Sequence, residues 1–219
     1  DKEIVIVDDG STDTSWSLIS SWQSAHADLS VKTLSKENGG KGSAVREGIK
    51  LSTGSIVIIQ DADLEYDPGD YQKCIDPILS ASASVVYGSR EMFTKNRMHS
   101  SWAFYLGGLT VTFMFNILYL TRLTDEPTCY KTFDGDLIRL LLFEGDRFDW
   151  EPEITAKLLR LGFKIDEVPI SYFPRKVEDG KKINWKDGVE ALYIALKWRF
   201  KSIKSDREKL LGWTKKTGT

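Results

Sequence analysis

Short apolar runs, each cut off by turn-forming or acidic residues, alternate along the chain with stretches whose apolar positions recur every three or four residues. The first pattern predicts buried strands and the second predicts amphipathic helices. In order, "EIVIVDD" reads as a strand, "TDTSWSLISSWQSA" as a helix, "LSVKTLSKE" as a strand, "GKGSAVREGIKLS" as a helix and "SIVIIQDAD" as a strand. "PGDYQKCIDPILSA" then reads as a helix and "ASVVYGSR" as a strand. Farther on, "EPEITAKLLRLG" is amphipathic as far as Gly162, "FKIDEVPISYFPR" alternates as a strand does, and "WKDGVEALYIALKWRFKSI" is a long helix of aromatic and basic character. Ser11, Thr12 and Asp13 offer N-caps to the first helix, and "STG" at residues 52–54 closes the second. The alternation predicts an α/β fold, a Rossmann-like mostly parallel sheet flanked by helices.

With 219 residues the chain can bury one substantial core. A single domain is expected over residues 1–200, with a basic tail over residues 201–219. There is no internal repeat. Because "EIVIVDD" reaches a functional turn so early, a further strand is expected upstream of it. The formal net charge of −2 gives no reason to expect nucleic acid as a partner. Cys74 and Cys129 have neither metal-ligand spacing nor a disulfide framework, so both are expected as buried free thiols in a reducing, cytoplasmic setting. Residues 102–120 carry no charge and are nominally long enough to cross a bilayer. They are expected not to span, because the acidic motifs before them and "RFDWEPEI" after them read as parts of one site.

Where the strand "SIVII" ends, "DADLE" spaces Asp61, Asp63 and Glu65 at alternate positions. On an extended chain the three share a face, and a short turn lets Asp63 and Glu65 converge on an oxygen-seeking Mg²⁺ or Mn²⁺. The bland alternative is a solvated acidic loop. "VDDGSTD" puts Asp8 and Asp9 at another strand end, near a nucleobase or ribose or simply as an acidic helix cap. In open α/β sheets ligands lie beyond such carboxyl ends, and two acid pairs on one rim call for a cation between them. "KENGGKGSAVREG" opens a helix with a Gly-rich turn in which Gly42 and Lys41 are available to phosphate, although the order of Gly, Lys and Ser is not that of a Walker motif.

Together these residues resemble the family 2 glycosyltransferases with a GT-A fold, and more narrowly the polyprenyl-phosphate sugar transferases of the dolichol-phosphate mannosyltransferase type. "IVDDGSTD", "NGGKGSAVREGI", "QDADLEYDP", "VYGSR", "TDEPTCYKTF" and "EVPISYFPRKVEDGKKINWKDG" match in order. The resemblance implies that Asp61, Asp63 and Glu65 hold a metal on the donor diphosphate, with Asp61 and Asp63 catalytic, and that Asp8, Asp9, Lys41, Gly42 and Asp61 line the nucleotide-sugar site. It implies that Arg90, Arg97 and Lys176 grip the acceptor phosphate, with Lys181 and Lys182 nearby, and that Arg175 holds the acceptor or the departing diphosphate. A phosphate acceptor is already an anion, so in-line attack needs no strong base. The family usually begins with a strand ending in an apolar-Pro-x-Tyr-Asn-Glu loop, which is absent here.

The implied function is an inverting transfer of a hexose, mannose or glucose, from a nucleotide sugar to a dolichyl or undecaprenyl phosphate. Glu151 and Glu153 either orient a sugar hydroxyl or start a helix. His26 and His99 read as surface or loop residues, and Trp16, Trp22, Trp102 and Phe113 as core. Trp185, Tyr193, Trp198 and Phe200 beside Lys197, Arg199, Lys201 and Lys204 make a helix that either packs on the sheet or lies peripherally on the cytoplasmic face of a membrane, where a separate anchoring subunit is a further partner. Two rival readings remain. A receiver-like signalling domain should end well before these motifs do, and a sugar-nucleotide pyrophosphorylase should carry a Gly-rich, Arg-Lys loop on its first strand.

Overall fold

The computed structural model describes residues 2–92, 102–175 and 185–213. Strand β1 (Glu3–Asp8) is followed by α1 (Ser15–Ala25), β2 (Ser30–Ser35), α2 (Lys41–Leu51) and β3 (Ile56–Ile58). Then come α3 (Tyr71–Leu79), β4 (Val85–Ser89), α4 (Trp102–Tyr119), β5 (Lys131–Asp134) and α5 (Gly135–Leu140). The chain continues through α6 (Trp150–Arg160), β6 (Asp166–Pro169), α7 (Trp185–Phe200) and α8 (Lys204–Lys209).

The α/β alternation is as expected. The strands pair as β1-β2 and as β3-β5-β4-β6. β1 and β2 are parallel, as are β4 and β6, but β5 runs antiparallel to both β3 and β4. β5 was not predicted as a strand. Its sequence, "KTFD", has only one large apolar side chain, and burial there comes from the neighbouring strands rather than from a hydrophobic run. The last strand is shorter than its alternating pattern suggested: regular pairing stops at Pro169, and only an isolated bridge from Tyr172 to Tyr66 continues it.

Phe133, Tyr87, Leu137, Ile138, Trp150 and Ile154 form the main core between sheet and helices. A second cluster, with Phe115, Ala156, Ile194 and Trp198, joins α4, α6 and α7. Residues 201–213, expected as a basic tail, fold into α8 and pack back. Asp206 lies 3.5 Å from Lys157, and the Trp213 indole donates to Asp134 at 3.4 Å.

Several aromatic residues expected in the core are outside it. Trp102 and Phe113 lie exposed on the outer face of α4. Trp22, on α1, is also exposed and stacks on His26 at 4.5 Å. Trp16 is only partly buried. Both cysteines are buried and free. Among the described residues no helix is long and apolar enough to cross a membrane. Arg97, His99, Lys176, Lys181 and Lys182 lie outside the described residues.

Candidate active site

The two acidic strand ends have different surroundings. After β1, Asp8 is buried and accepts from the Ser35 hydroxyl at 3.2 Å. Asp9 accepts from the amides of Gly39 and Gly40 at 3.0 and 2.7 Å and from the Lys36 ammonium at 2.7 Å. Burial opposes its charge, but Lys36 and the two amides outweigh that and hold its carboxyl below the usual range. Asp9 therefore closes the Gly-rich turn that leads into α2. Gly10 faces this turn with φ of 75°, and a Cβ there would stand 2.7 Å from the Asn38 amide nitrogen.

The start of α2 is engaged by protein. The Gly42 amide donates to the Arg147 carbonyl at 3.1 Å and the Ser43 amide to that of Asp146 at 2.9 Å. A Cβ on Gly42 would run into the carbonyl of Gly145. Glycine is therefore required at this position for the approach of residues 145–147 rather than for an open phosphate cradle. Arg46 fastens the same loop, donating to the Gly145 carbonyl at 3.2 Å and pairing with Asp146.

After β3, the acids are held by side chains. Lys41 bridges Asp61 and Glu151, 2.7 Å from an oxygen of each. Burial opposes its charge, but Glu151 and Asp61 outweigh it and raise its pKa well above the ordinary value. Leu64, at φ 62°, turns the chain between the next two acids, and the Glu65 amide donates to Asp63 at 3.1 Å. Arg175 then spans both acids. Its Nη2 is 2.9 Å from Asp63, its Nε 3.2 Å from Glu65, and its own amide donates to Glu65 at 3.0 Å. The Tyr172 hydroxyl donates to the other Glu65 oxygen at 3.0 Å. Burial, with Asp61 and Glu65 close by, raises the Asp63 pKa against the pull of Arg175.

The expected convergence of Asp61, Asp63 and Glu65 on a metal takes a different form. Among the described residues no three His, Cys, Asp or Glu side chains are gathered as a metal cage requires. Asp61 is drawn to Lys41, while Asp63 and Glu65 are drawn to Arg175.

Arg90 makes a bidentate pair with Asp125, at 2.7 and 2.6 Å, and its guanidinium lies 5.1 Å from the centre of the Tyr172 ring. It lines a cavity of about 70 Å³ with Leu109, Thr112, Thr124, Asp125 and Tyr172. Tyr172 is thus a wall common to this cavity and to the acidic cluster. Of the two helix-start acids, Glu151 reaches the site. Glu153 instead accepts from the amides of Glu144 and Gly145 at 2.7 and 2.9 Å and pairs with Lys157.

Sequence reasoning missed Asp125, Tyr172 and the Lys41–Glu151 bridge. The first two stand inside quoted motifs, "TDEPTCYKTF" and "EVPISYFPRK", whose acidic and aromatic members were the available signal.

The chain belongs to glycosyl transferase family 2, whose pattern matches residues 1–139. The undecaprenyl-phosphate mannosyltransferase of Micrococcus luteus is 26% identical to it over 214 residues, covering 90% of this chain and 82% of that protein. The dolichyl-phosphate beta-glucosyltransferase of Dictyostelium discoideum is 26% identical over 178 residues, covering 78% of this chain and 54% of that protein. The chain thus spans about half the length of the latter. A solved mannosyltransferase of Pyrobaculum calidifontis, in complex with GDP-Man and Mn²⁺, superposes with a TM-score of 0.52 at 16% identity. The match covers 94% of this chain and 63% of that one, and at such identity it shows the fold alone, which is GT-A. The protein is a glycosyltransferase, and the receiver-like and pyrophosphorylase readings fall.

Proposed function

We propose that the protein transfers a hexosyl group, mannosyl or glucosyl, from a nucleotide sugar to a polyprenyl phosphate at a membrane surface. The observation that carries this reading is a polar cavity with an arginine in its wall, beside an apolar ridge. The cavity holds Arg90 and shares the Tyr172 wall with the acidic cluster. Beside it, α4 exposes Trp102, Leu106, Leu109, Phe113 and Ile117 along one side. α7, packed against α4, exposes Val189, Tyr193, Leu196 and Phe200. An acceptor with an anionic head and a long hydrocarbon tail suits both surfaces, and the two relatives, a dolichyl-phosphate glucosyltransferase and an undecaprenyl-phosphate mannosyltransferase, support the same reading.

In this reading an acceptor phosphate oxygen attacks the anomeric carbon as the bond to the nucleoside diphosphate breaks, and the diphosphate leaves with the bonding pair. Configuration inverts. Arg175 and the Arg90 cavity steady the anionic groups, and no side chain has to remove a proton. A divalent cation, Mg²⁺ or Mn²⁺, belongs to the reading because the acids after β3 are hard oxygen donors. Asp61, Asp63 and Glu65 would hold it on the donor diphosphate. The apolar ridge and the exposed Lys197, Arg199 and Lys204 support peripheral attachment, with the cytoplasmic face as the expected side.

The test supplies radiolabelled GDP-mannose and UDP-glucose separately, with undecaprenyl or dolichyl phosphate in detergent. Label is expected in the organic phase with one donor, and not when the polyprenol lacks its phosphate. Label that stays entirely in water-soluble products overturns the acceptor assignment.

A further inference from the structure

Four carboxylates face two cations in two neighbouring sets of ion pairs: Asp61 and Glu151 on Lys41, and Asp63 and Glu65 on Arg175. Counted formally, that leaves a surplus of two negative charges. The two cations are held differently. Lys41 sits between carboxylates from two elements and beneath the Phe148 ring, 5.7 Å from its centre, at the base of the site. The Arg175 side chain is about one-third exposed and reaches Asp63 and Glu65 from a segment beyond the last regular pairing of β6. Its guanidinium lies against one oxygen of each acid, so its positive charge competes with a divalent ion drawn to the same two carboxylates.

We propose that Arg175 is an internal stand-in for the divalent ion. In the donor-free protein it neutralises Asp63 and Glu65, and it gives them up when the metal arrives together with a nucleoside diphosphate. The diphosphate provides the guanidinium with replacement anionic oxygens in a planar pair, so the exchange leaves no cation without a partner. Metal alone has to displace Arg175 without compensation and binds weakly. The metal and the diphosphate therefore strengthen each other's binding through Arg175, and that effect is reciprocal by linkage. The inference rests on the proposed metal-dependent reading of the site.

The test measures Mn²⁺ binding to the full chain by electron paramagnetic resonance of free Mn²⁺, alone and with saturating GDP or UDP. The wild type is expected to bind Mn²⁺ weakly alone and at least about tenfold more tightly with the preferred diphosphate. Arg175→Gln should bind Mn²⁺ alone about tenfold or more tightly than wild type does, because a competing positive charge is gone. It should also lose most of the diphosphate-induced gain. Arg175→Lys keeps the charge and is expected to leave binding of Mn²⁺ alone close to wild type, which separates charge from a general loosening of the loop. Equal Mn²⁺ affinity in wild type and Arg175→Gln overturns the stand-in role while leaving the metal reading intact, provided Asp63→Asn abolishes binding. Absence of Mn²⁺ binding in every form, with and without diphosphate, overturns both.

Discussion

Two strand ends of this protein look alike in sequence and behave as opposites in structure. "IVDDG" and "IIQDAD" each run an apolar strand into closely spaced acids. After β1, Asp9 is held by backbone amides and one lysine, so its charge is consumed in shaping the turn. After β3, Asp61, Asp63 and Glu65 are held chiefly by the side chains of Lys41 and Arg175. Backbone amides cannot leave without unfolding the turn, whereas a guanidinium can rotate away at the cost of a few rotamers. Acids held by backbone build the scaffold, and acids held by side chains remain exchangeable.

The largest effect that would break this contrast is expected from Asp63→Asn. Transfer from the nucleotide sugar should fall at least about a hundredfold, because a neutral amide is a poor ligand for a hard cation and a poor partner for Arg175. The melting temperature should move little. Near-normal transfer, measured by label in the extracted lipid, would remove Asp63 from the site.

Arg175→Lys comes next. Charge is kept and the planar fork is lost, so turnover should drop by about 10–100-fold with only a small change in unfolding temperature. A loss confined to stability would instead place Arg175 with the scaffold acids.

Asp9→Asn should invert the pattern, costing about 1–3 kcal/mol of stability by weakening the bonds from Gly39, Gly40 and Lys36. The pH dependence follows from its lowered carboxyl pKa. A carboxylate whose folded pKa is depressed stabilises the protein above its unfolded pKa, near 3.9, and the contribution disappears as the pH falls through the folded value. The difference between wild type and Asp9→Asn in thermal melts should therefore be full at neutral pH and close up in strong acid. A difference independent of pH would show that the amides alone matter.

The smallest effect belongs to Glu3 at the far end of β1. Although burial opposes its charge, Lys32 together with the Thr53 amide and hydroxyl brings its pKa down to about 2. Glu3→Gln should cost less than about 1 kcal/mol near neutral pH, with the difference fading between the ordinary glutamate range and about pH 2. Comparative denaturant melts at neutral and acid pH would measure it.

The elements and the site were legible to different degrees. Strands β1, β2 and β4 and helices α2, α3 and α6 are visible because each is an apolar run or an amphipathic stretch bounded by turn residues. β5 was hidden, since its burial depends on strands distant in sequence. The acids themselves were visible, but their partners were not. Nothing local to "DADLE" says that Arg175, more than a hundred residues later, will reach it, or that Lys41 will choose carboxylates instead of an open phosphate site. The aromatic residues of α4 misled for a related reason: an uncharged helix reads as core, and only the tertiary arrangement shows which side is left uncovered.

Tyr172 ties the two halves of the site to one piece of chain. Its hydroxyl touches Glu65, its ring faces Arg90, its backbone bridges to Tyr66, and Arg175 follows three residues on. Residues 172–175 are therefore expected to act as a short lever. A shift of this segment that withdraws the guanidinium from Asp63 is expected to move the wall beside Arg90 as well, so that the two sides of the site respond as one.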